Sequence, residues 1–170
     1  MQILETSRLI LRKFSIADAP FILELLNTPG WLQFIGDRQI GSLENAEQYL
    51  LTGPLQSYQK RGFGLYLVRM KDEELPIGMC GFLQRDYLPD PDIGYAFLPS
   101  YEGKGYAFES ASATLTYGRK NLDMEKIMAI TRPDNIRSVR LLEKLGFFAV
   151  THLAPADGSL LFANEAPAEK

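Results

Sequence analysis

Asp92-Ile93-Gly94-Tyr95-Ala96-Phe97-Leu98-Pro99-Ser100-Tyr101-Glu102-Gly103-Lys104-Gly105-Tyr106-Ala107 reads as three pieces in succession. A strand runs to Pro99, a short glycine-bearing turn follows, and a helix begins after it. Gly103 and Gly105 flank Lys104 at the helix entrance and leave backbone N–H groups uncovered. Uncovered N–H groups at the positive end of a helix dipole form an anion site. A pyrophosphate is the anion that makes best use of several converging donors. Taken alone, Gly-Lys-Gly is also compatible with a plain turn.

A second stretch, Thr131-Arg132-Pro133-Asp134-Asn135-Ile136-Arg137-Ser138-Val139-Arg140-Leu141-Leu142-Glu143-Lys144-Leu145-Gly146-Phe147, is a strand end followed by a helix. Asn135 suits the N-cap, and Gly146 suits the left-handed residue that stops a helix. Near the start stands Glu5-Thr6-Ser7-Arg8-Leu9-Ile10-Leu11-Arg12. Together the three stretches resemble the GCN5-related N-acetyltransferase (GNAT) superfamily, in its RimJ/RimL-like branch, whose usual opening is Thr-x-Arg-Leu-x-Leu-Arg. The resemblance runs from about Thr6 to the final strand near Leu161.

At 170 residues the chain suits one domain with a sizeable core, expected over 6–165. The net charge is −3 and no basic stretch is interleaved with aromatics, which argues against nucleic acid as a partner. The lone Cys80 excludes an internal disulfide and fits a reducing cytosol. It sits in the apolar run from Ile77 to Phe82, which suits a buried small residue better than a nucleophile. With His152 the only histidine, neither a metal site nor a Cys–His pair is supported. The absence of a signal pattern or long apolar span points to a cytoplasmic protein with no membrane association.

Arg8 to Lys13 alternates as a first strand, and Ser15 with Asp18 three residues on opens a helix carrying Ile22, Leu25 and Leu26 inward. Pro29-Gly30 is expected to end it, with 31–38 as a loop. A second helix runs from its Ser42 cap to about Tyr58, disturbed at Gly53-Pro54. Strands over 62–70 and 77–85 form a hairpin beside 93–98. A long helix over 106–119 offers Phe108, Ala111, Ala113 and Leu115 for packing, and 126–130 is a short buried strand. Strands near 147–152 and 160–163 close the fold, and the tail from Asn164, with 166–170 beyond the domain, is expected to fray. This order gives an α/β fold, a mixed sheet flanked by helices. The resemblance implies a mostly antiparallel twisted sheet of about seven strands with splayed central strands.

The resemblance also implies a cosubstrate, acetyl-CoA, lying in the gap beside strand 93–98. The backbone of Phe97 and Leu98 would bind its arm, and the turn through Gly103, Lys104, Gly105, Tyr106 and Ala107 its pyrophosphate. Asn135 and Ser138 would approach the arm. No metal is required, because peptide N–H groups supply the charge stabilisation. Glu102 stands directly before the first glycine, where the turn departs from the superfamily pattern, and is expected to face solvent. Many superfamily members carry a tyrosine as general acid where this chain has Leu142. Ser138 is the nearest replacement. Asp92 is the candidate base, because the attacking amine must be neutral; it equally suits a turn carboxylate. Tyr95 suits core or groove wall.

The acceptor pocket is expected between the first helices, with Trp31, Phe34, Asp37 and Arg38 as candidates. Asp37 and Asp92 suit a cationic amine and Arg38 a carboxylate; Trp31 and Phe34 also suit a role in covering the core. The implied reaction is acetyl transfer to a primary amine, either a protein N-terminal α-amine or a small molecule such as a polyamine, amino acid or aminoglycoside-like compound. A CoA-binding module without useful catalysis is the alternative from another class. An ATP site lacks the Gly-x4-Gly-Lys-Ser/Thr arrangement. Either a monomer or a homodimer fits.

Overall fold

A computed structural model describes residues 1–166 of the chain. The strands among them are β1 (Gln2–Glu5), β2 (Leu9–Lys13), β3 (Leu65–Met70), β4 (Pro76–Leu83), β5 (Asp92–Phe97), β6 (Lys126–Thr131), β7 (Phe148–Ala149) and β8 (Leu160–Glu165). They form one sheet of eight strands in the order β1-β2-β3-β4-β5-β6-β8-β7, where about seven strands are expected. The added strand is β1, which pairs antiparallel with β2. All neighbours are antiparallel except β5 and β6, which run parallel.

The helices are α1 (Ala19–Leu25), α2 (Pro29–Phe34), α3 (Leu43–Leu50), α4 (Gln56–Arg61), α5 (Tyr106–Leu122) and α6 (Ile136–Lys144). Side chains alternate across a strand, so each strand feeds both faces of the sheet. Tyr66 and Val68 of β3 join a core with Ala111 and Leu115 of α5 and Leu142 of α6. Their neighbours Leu65 and Leu67 join a second core with Ile22, Leu25, Ala46 and Leu50 of α1 and α3. The sheet is therefore covered on both faces, and any passage between β5 and β6 connects the two layers.

Local chemistry explains most boundaries. Asp18 accepts from Ser15 N at 2.8 Å and from two Arg12 nitrogens at 2.9 and 2.7 Å, which ties the start of α1 to β2. Ser42 caps α3 by accepting from Asn45 N. Between α3 and α4 the chain makes one wide turn over Leu51–Leu55, with Pro54 inside it. Widening the turn accommodates a residue that has no N–H to give.

Four expectations are corrected. Segment 31–38 is not all loop, because Pro29 starts α2 at its first position after Thr28. The inward face of α5 is Ser110, Ala111, Thr114, Leu115 and Gly118, while Phe108 and Ala113 are only half-buried. The strand expected over 147–152 is reduced to two residues. Asn164 does not fray: it is buried in β8, donates to Leu145 O at 3.0 Å and accepts from Arg119. Residues 167–170 of the expected frayed tail lie outside the described residues. Among the described residues no helix is long and apolar enough to cross a membrane.

Gly81 of β4 is where two backbones meet: a Cβ there would lie 2.2 Å from Gly64 O and 2.7 Å from Leu65 Cα. Gly81→Ala is expected to cost about 2–3 kcal/mol through forced backbone displacement, measured by urea unfolding of the two proteins.

Candidate active site

β5 is hydrogen-bonded along one edge only. It pairs with β4 from Asp92 to Phe97, but with β6 only at Asp92↔Met128. Met128 N donates to Pro91 O at 2.8 Å, and past this point the two strands part. At the other end Leu98 N donates to Ile77 O on the β4 side at 2.9 Å. Backbone groups of successive strand residues point to opposite edges. Tyr95 and Phe97 therefore present their N–H and C=O groups to the gap, whereas the Ile93 N–H is taken up at the single register pair with Met128. Leu98 turns away from the gap: its N–H is bound to Ile77 and its carbonyl accepts from Tyr101 N at 2.9 Å.

The gap opens into a groove of about 990 Å³ lined from both layers of the fold. Tyr95, Ile93 and Phe97 pack toward α5 and α6, whereas Ala96 packs toward α1 and α3. By the same alternation Asp92 and Gly94 share the face of Ala96. One wall thus carries Tyr95 with Asn135 and Ser138 of α6. The other carries Asp92 with α2 and the segment after it.

The glycine turn is built as the sequence implies. Gly103 has φ 71° and Gly105 φ 84°, a left-handed backbone that side chains resist. Gly105 is the N-cap of α5, no side chain caps that end, and Gly105, Tyr106 and Ala107 line the groove. Lys104 does not line it; its ammonium lies 5.5 Å from the Tyr101 ring centroid. Glu102 reaches the groove rim instead of facing only solvent, and Arg137 neutralises it at 2.8 Å.

The opening motif holds this turn in place. Glu109, in the first turn of α5, accepts from Thr6 Oγ1 at 2.6 Å, Ser7 Oγ at 3.1 Å and Arg8 N at 3.0 Å. Arg8 adds Nε to Glu109 Oε2 at 2.7 Å and its NH1 donates to Lys104 O at 3.1 Å. Its guanidinium carbon stands 4.4 Å over the Tyr106 ring. Burial raises the Glu109 pKa, but the bonds from Thr6, Arg8 and Ser7 outweigh it and hold the carboxyl below its usual range.

Across the gap, Asn135 caps α6 by accepting from Ser138 N at 3.2 Å and also lines the groove. Ser138 Oγ lies 2.9 Å from the Tyr95 hydroxyl. Burial pushes the Tyr95 phenol up to about 12, against the lowering effect of Ser138. Leu142 is 1% exposed and brings no hydroxyl to this wall. Cys80 is buried against Thr114 at 3.5 Å, as its apolar run implies.

Asp92 is 1% exposed and lines the groove, with Arg85 Nε at 3.1 and 3.0 Å from its two oxygens. Burial pushes its pKa up to about 6, and Arg85 only partly offsets this. Trp31, Phe34 and Arg38 line the same end, together with Arg85 and Tyr87. Trp31 is buried, and its indole N–H has no acceptor among the described residues. Asp37 does not line the groove; it is exposed and accepts from Gln39 N at 2.7 Å.

The family description "Acetyltransferase (GNAT) domain" matches residues 8–148, which holds Arg8 and Glu109, the gap, the glycine turn and α6. The chain belongs to the GNAT acetyltransferase family. This GNAT-family N-acetyltransferase is 30% identical over 141 residues to the uncharacterized N-acetyltransferase YnaD of Bacillus subtilis, covering 83% of this chain and 79% of that one. It is 32% identical over 98 residues to the ribosomal protein uS5-alanine N-acetyltransferase of Escherichia coli, covering 56% of this chain and 50% of that one. Its fold matches RimL, a ribosomal L7/L12 α-N-protein acetyltransferase in complex with coenzyme A, with a TM-score of 0.83 at 20% identity, covering 99% and 100% of the two chains.

Because the folded Glu109 carboxyl is held low, its clamp stabilises the fold at neutral pH and loses that contribution as pH falls through the lowered value. Glu109→Gln is expected to lower the melting temperature at pH 7 and to approach the parent as the pH falls through that lowered value, in paired thermal scans.

Proposed function

We propose that this enzyme transfers the acetyl group of acetyl-CoA to an α-amine, at a protein or peptide N-terminus or on an amino acid. The observation that carries the donor assignment is the one-sided hydrogen bonding of β5 beside an uncapped helix start. An extended amide-containing arm can pair with Tyr95 and Phe97 as an added strand. Its pyrophosphate then meets the N–H groups from Gly103 to Ala107 at the positive end of α5. These residues fit the cosubstrate, since side chains at the two left-handed glycines would strain the turn that holds it.

The thioester supplies an activated acetyl group, and the chain's residues handle charge and protons around it. A gap-facing N–H of β5 stabilises negative charge developing on the carbonyl oxygen. Asp92, on the opposite wall, takes the amine proton directly or through water, and its raised pKa keeps it basic just below neutrality. Ser138 hydrogen-bonds the departing sulfur.

The acceptor class follows from charge. At the end lined by α2, the groove carries Arg38 and Arg85, while the carboxylate of Asp92 is already paired and Asp37 lies outside. The Arg85–Asp92 pair is close to neutral, so the Arg38 guanidinium is the net charge at this end; it repels a polyamine or an aminoglycoside-like cation and attracts a carboxylate or peptide carbonyl. The unpaired indole N–H of Trp31 is a further donor for such an oxygen. Among the similar proteins, the uS5 enzyme is named for N-acetylation of an alanine and the L7/L12 enzyme for α-N-protein acetylation, which agrees with this reading.

Acetyl-CoA at about 100 times its Kd adds ~2.7 kcal/mol of stability, a rise of roughly 5–10 °C in the melting temperature for a chain of this size. ATP and NAD should leave it unchanged, and no rise at millimolar acetyl-CoA would overturn the assignment. With acetyl-CoA saturating, CoA release is expected with an alanine-initiated peptide and not with spermidine. kcat/KM should rise through about pH 6 as Asp92 ionises and again near the amine's own pKa of about 8. Asp92→Asn should remove the first limb and lower kcat about 100-fold.

A further inference from the structure

The hydroxyl pair of Tyr95 and Ser138 has a geometry that a simple groove wall does not need. A helical serine or threonine can turn its hydroxyl back onto its own helix. Ser110 does so toward Ala107 O at 3.2 Å, and Thr116 toward Ser112 O at 3.2 Å. Ser138 instead reaches off α6 to Tyr95, which stands in the middle of the unpaired edge of β5. The contact bridges the two elements that border the gap. Ser138 also lies one helical turn before Leu142 on the same face of α6. It therefore occupies the wall from which the resembled family's tyrosine would act.

Resting on the acetyl-CoA reading above, we propose that Tyr95 is a positioning residue for Ser138. The Tyr95 O–H donates to Ser138 Oγ, and this leaves the serine's own hydrogen directed across the groove at the sulfur. The strand fixes the ring, because Tyr95 packs into the core shared with α5. Its phenol stays protonated throughout the working range and remains a donor.

The step balances without a proton leaving Tyr95. The C–N bond forms as the amine attacks, the amine proton passes to Asp92 or water, and the C–S bond breaks with its electron pair on sulfur. The thiolate of a thiol with pKa about 8.5 is a weaker base than the phenolate of Tyr95. Sulfur therefore departs as a thiolate that accepts a hydrogen bond from Ser138 and gains its proton from solvent.

The test uses coenzyme A itself and needs no acceptor. The thiol of bound CoA is titrated by thiolate absorbance in the full-length protein, with the desulfo-CoA complex as blank. In the parent, the bound thiol should titrate about one pH unit below its midpoint in Ser138→Ala, and Ser138→Thr should keep the parent value. Tyr95→Phe should raise the midpoint by a large part of that unit, and by nothing further when Ser138 is already alanine. Calorimetric affinity for CoA at pH 6, where the thiol is protonated, sets the concentration that saturates each variant before its midpoint is read. A midpoint unmoved by Tyr95→Phe, or an equal shift in the presence and absence of Ser138, overturns the positioning role. An Ala variant at Ser138 that titrates like the parent overturns the role of the pair, without affecting cosubstrate assignment. A parent protein that does not bind CoA overturns both.

Discussion

One hydrogen-bonded edge that stops after a single register pair organises this molecule. β5 is tied to β4 along its length, yet meets β6 only where Asp92 faces Met128. β6 completes its own bonding with β8 instead, over six residue pairs from Lys126 to Thr131. The sheet is thus continuous but pierced at its centre. Backbone groups left unpaired in a protein interior cost about 1–3 kcal/mol each unless water or a ligand satisfies them. A cosubstrate arm with amides along it is suited to that edge, and the same gap joins the two layers of the fold. Donor and acceptor can enter from opposite faces and meet at β5.

The charges near this gap follow one pattern. Glu102, Glu109 and Asp92 are each paired with an arginine, Arg137, Arg8 and Arg85 respectively. Without those partners, the two glutamates would oppose a phosphate at the α5 entrance and Asp92 would favour a polycationic acceptor. Pairing removes the opposition and leaves the peptide dipoles of the turn as the governing field. The chain as a whole carries −3, so the positive character of the groove is a local arrangement and not a property of the composition. Arg8 has a second function beyond charge. By holding the Lys104 carbonyl and covering Tyr106, it fixes the turn whose N–H groups must converge.

Sequence legibility tracked the range over which each constraint acts. The Gly103–Gly105 turn, the Asn135 cap and the Gly146 stop are local devices, and they were readable from neighbouring residues alone. The helix at Pro29 was not, because Pro29-Gly30 signals an ending as well as a beginning. Contacts over long separations left no local trace. Thr6 and Arg8 belong to a recognisable motif, but nothing in it points to Glu109 more than 100 residues away. Arg85 and Asp92 meet across a turn of otherwise ordinary polar residues. A stranded tyrosine such as Tyr95 reads as core until α6 brings Ser138 to it. Among the expected site residues, Leu98, Lys104 and Asp37 point away from the groove for the same reason: backbone bonding and side-chain direction depend on the assembled fold.

The most direct measurement is amide chemical-shift mapping of the isotope-labelled protein on titration with acetyl-CoA. The largest changes are expected in two groups: Gly103, Gly105, Tyr106 and Ala107 at the α5 entrance, and Tyr95 and Phe97 along the open edge of β5. The amides of Gly94, Ala96 and Leu98, which point to β4, should move less. Changes centred elsewhere, or equal for both sets along β5, would contradict the claim that the unpaired edge and the uncapped turn together form the cosubstrate site.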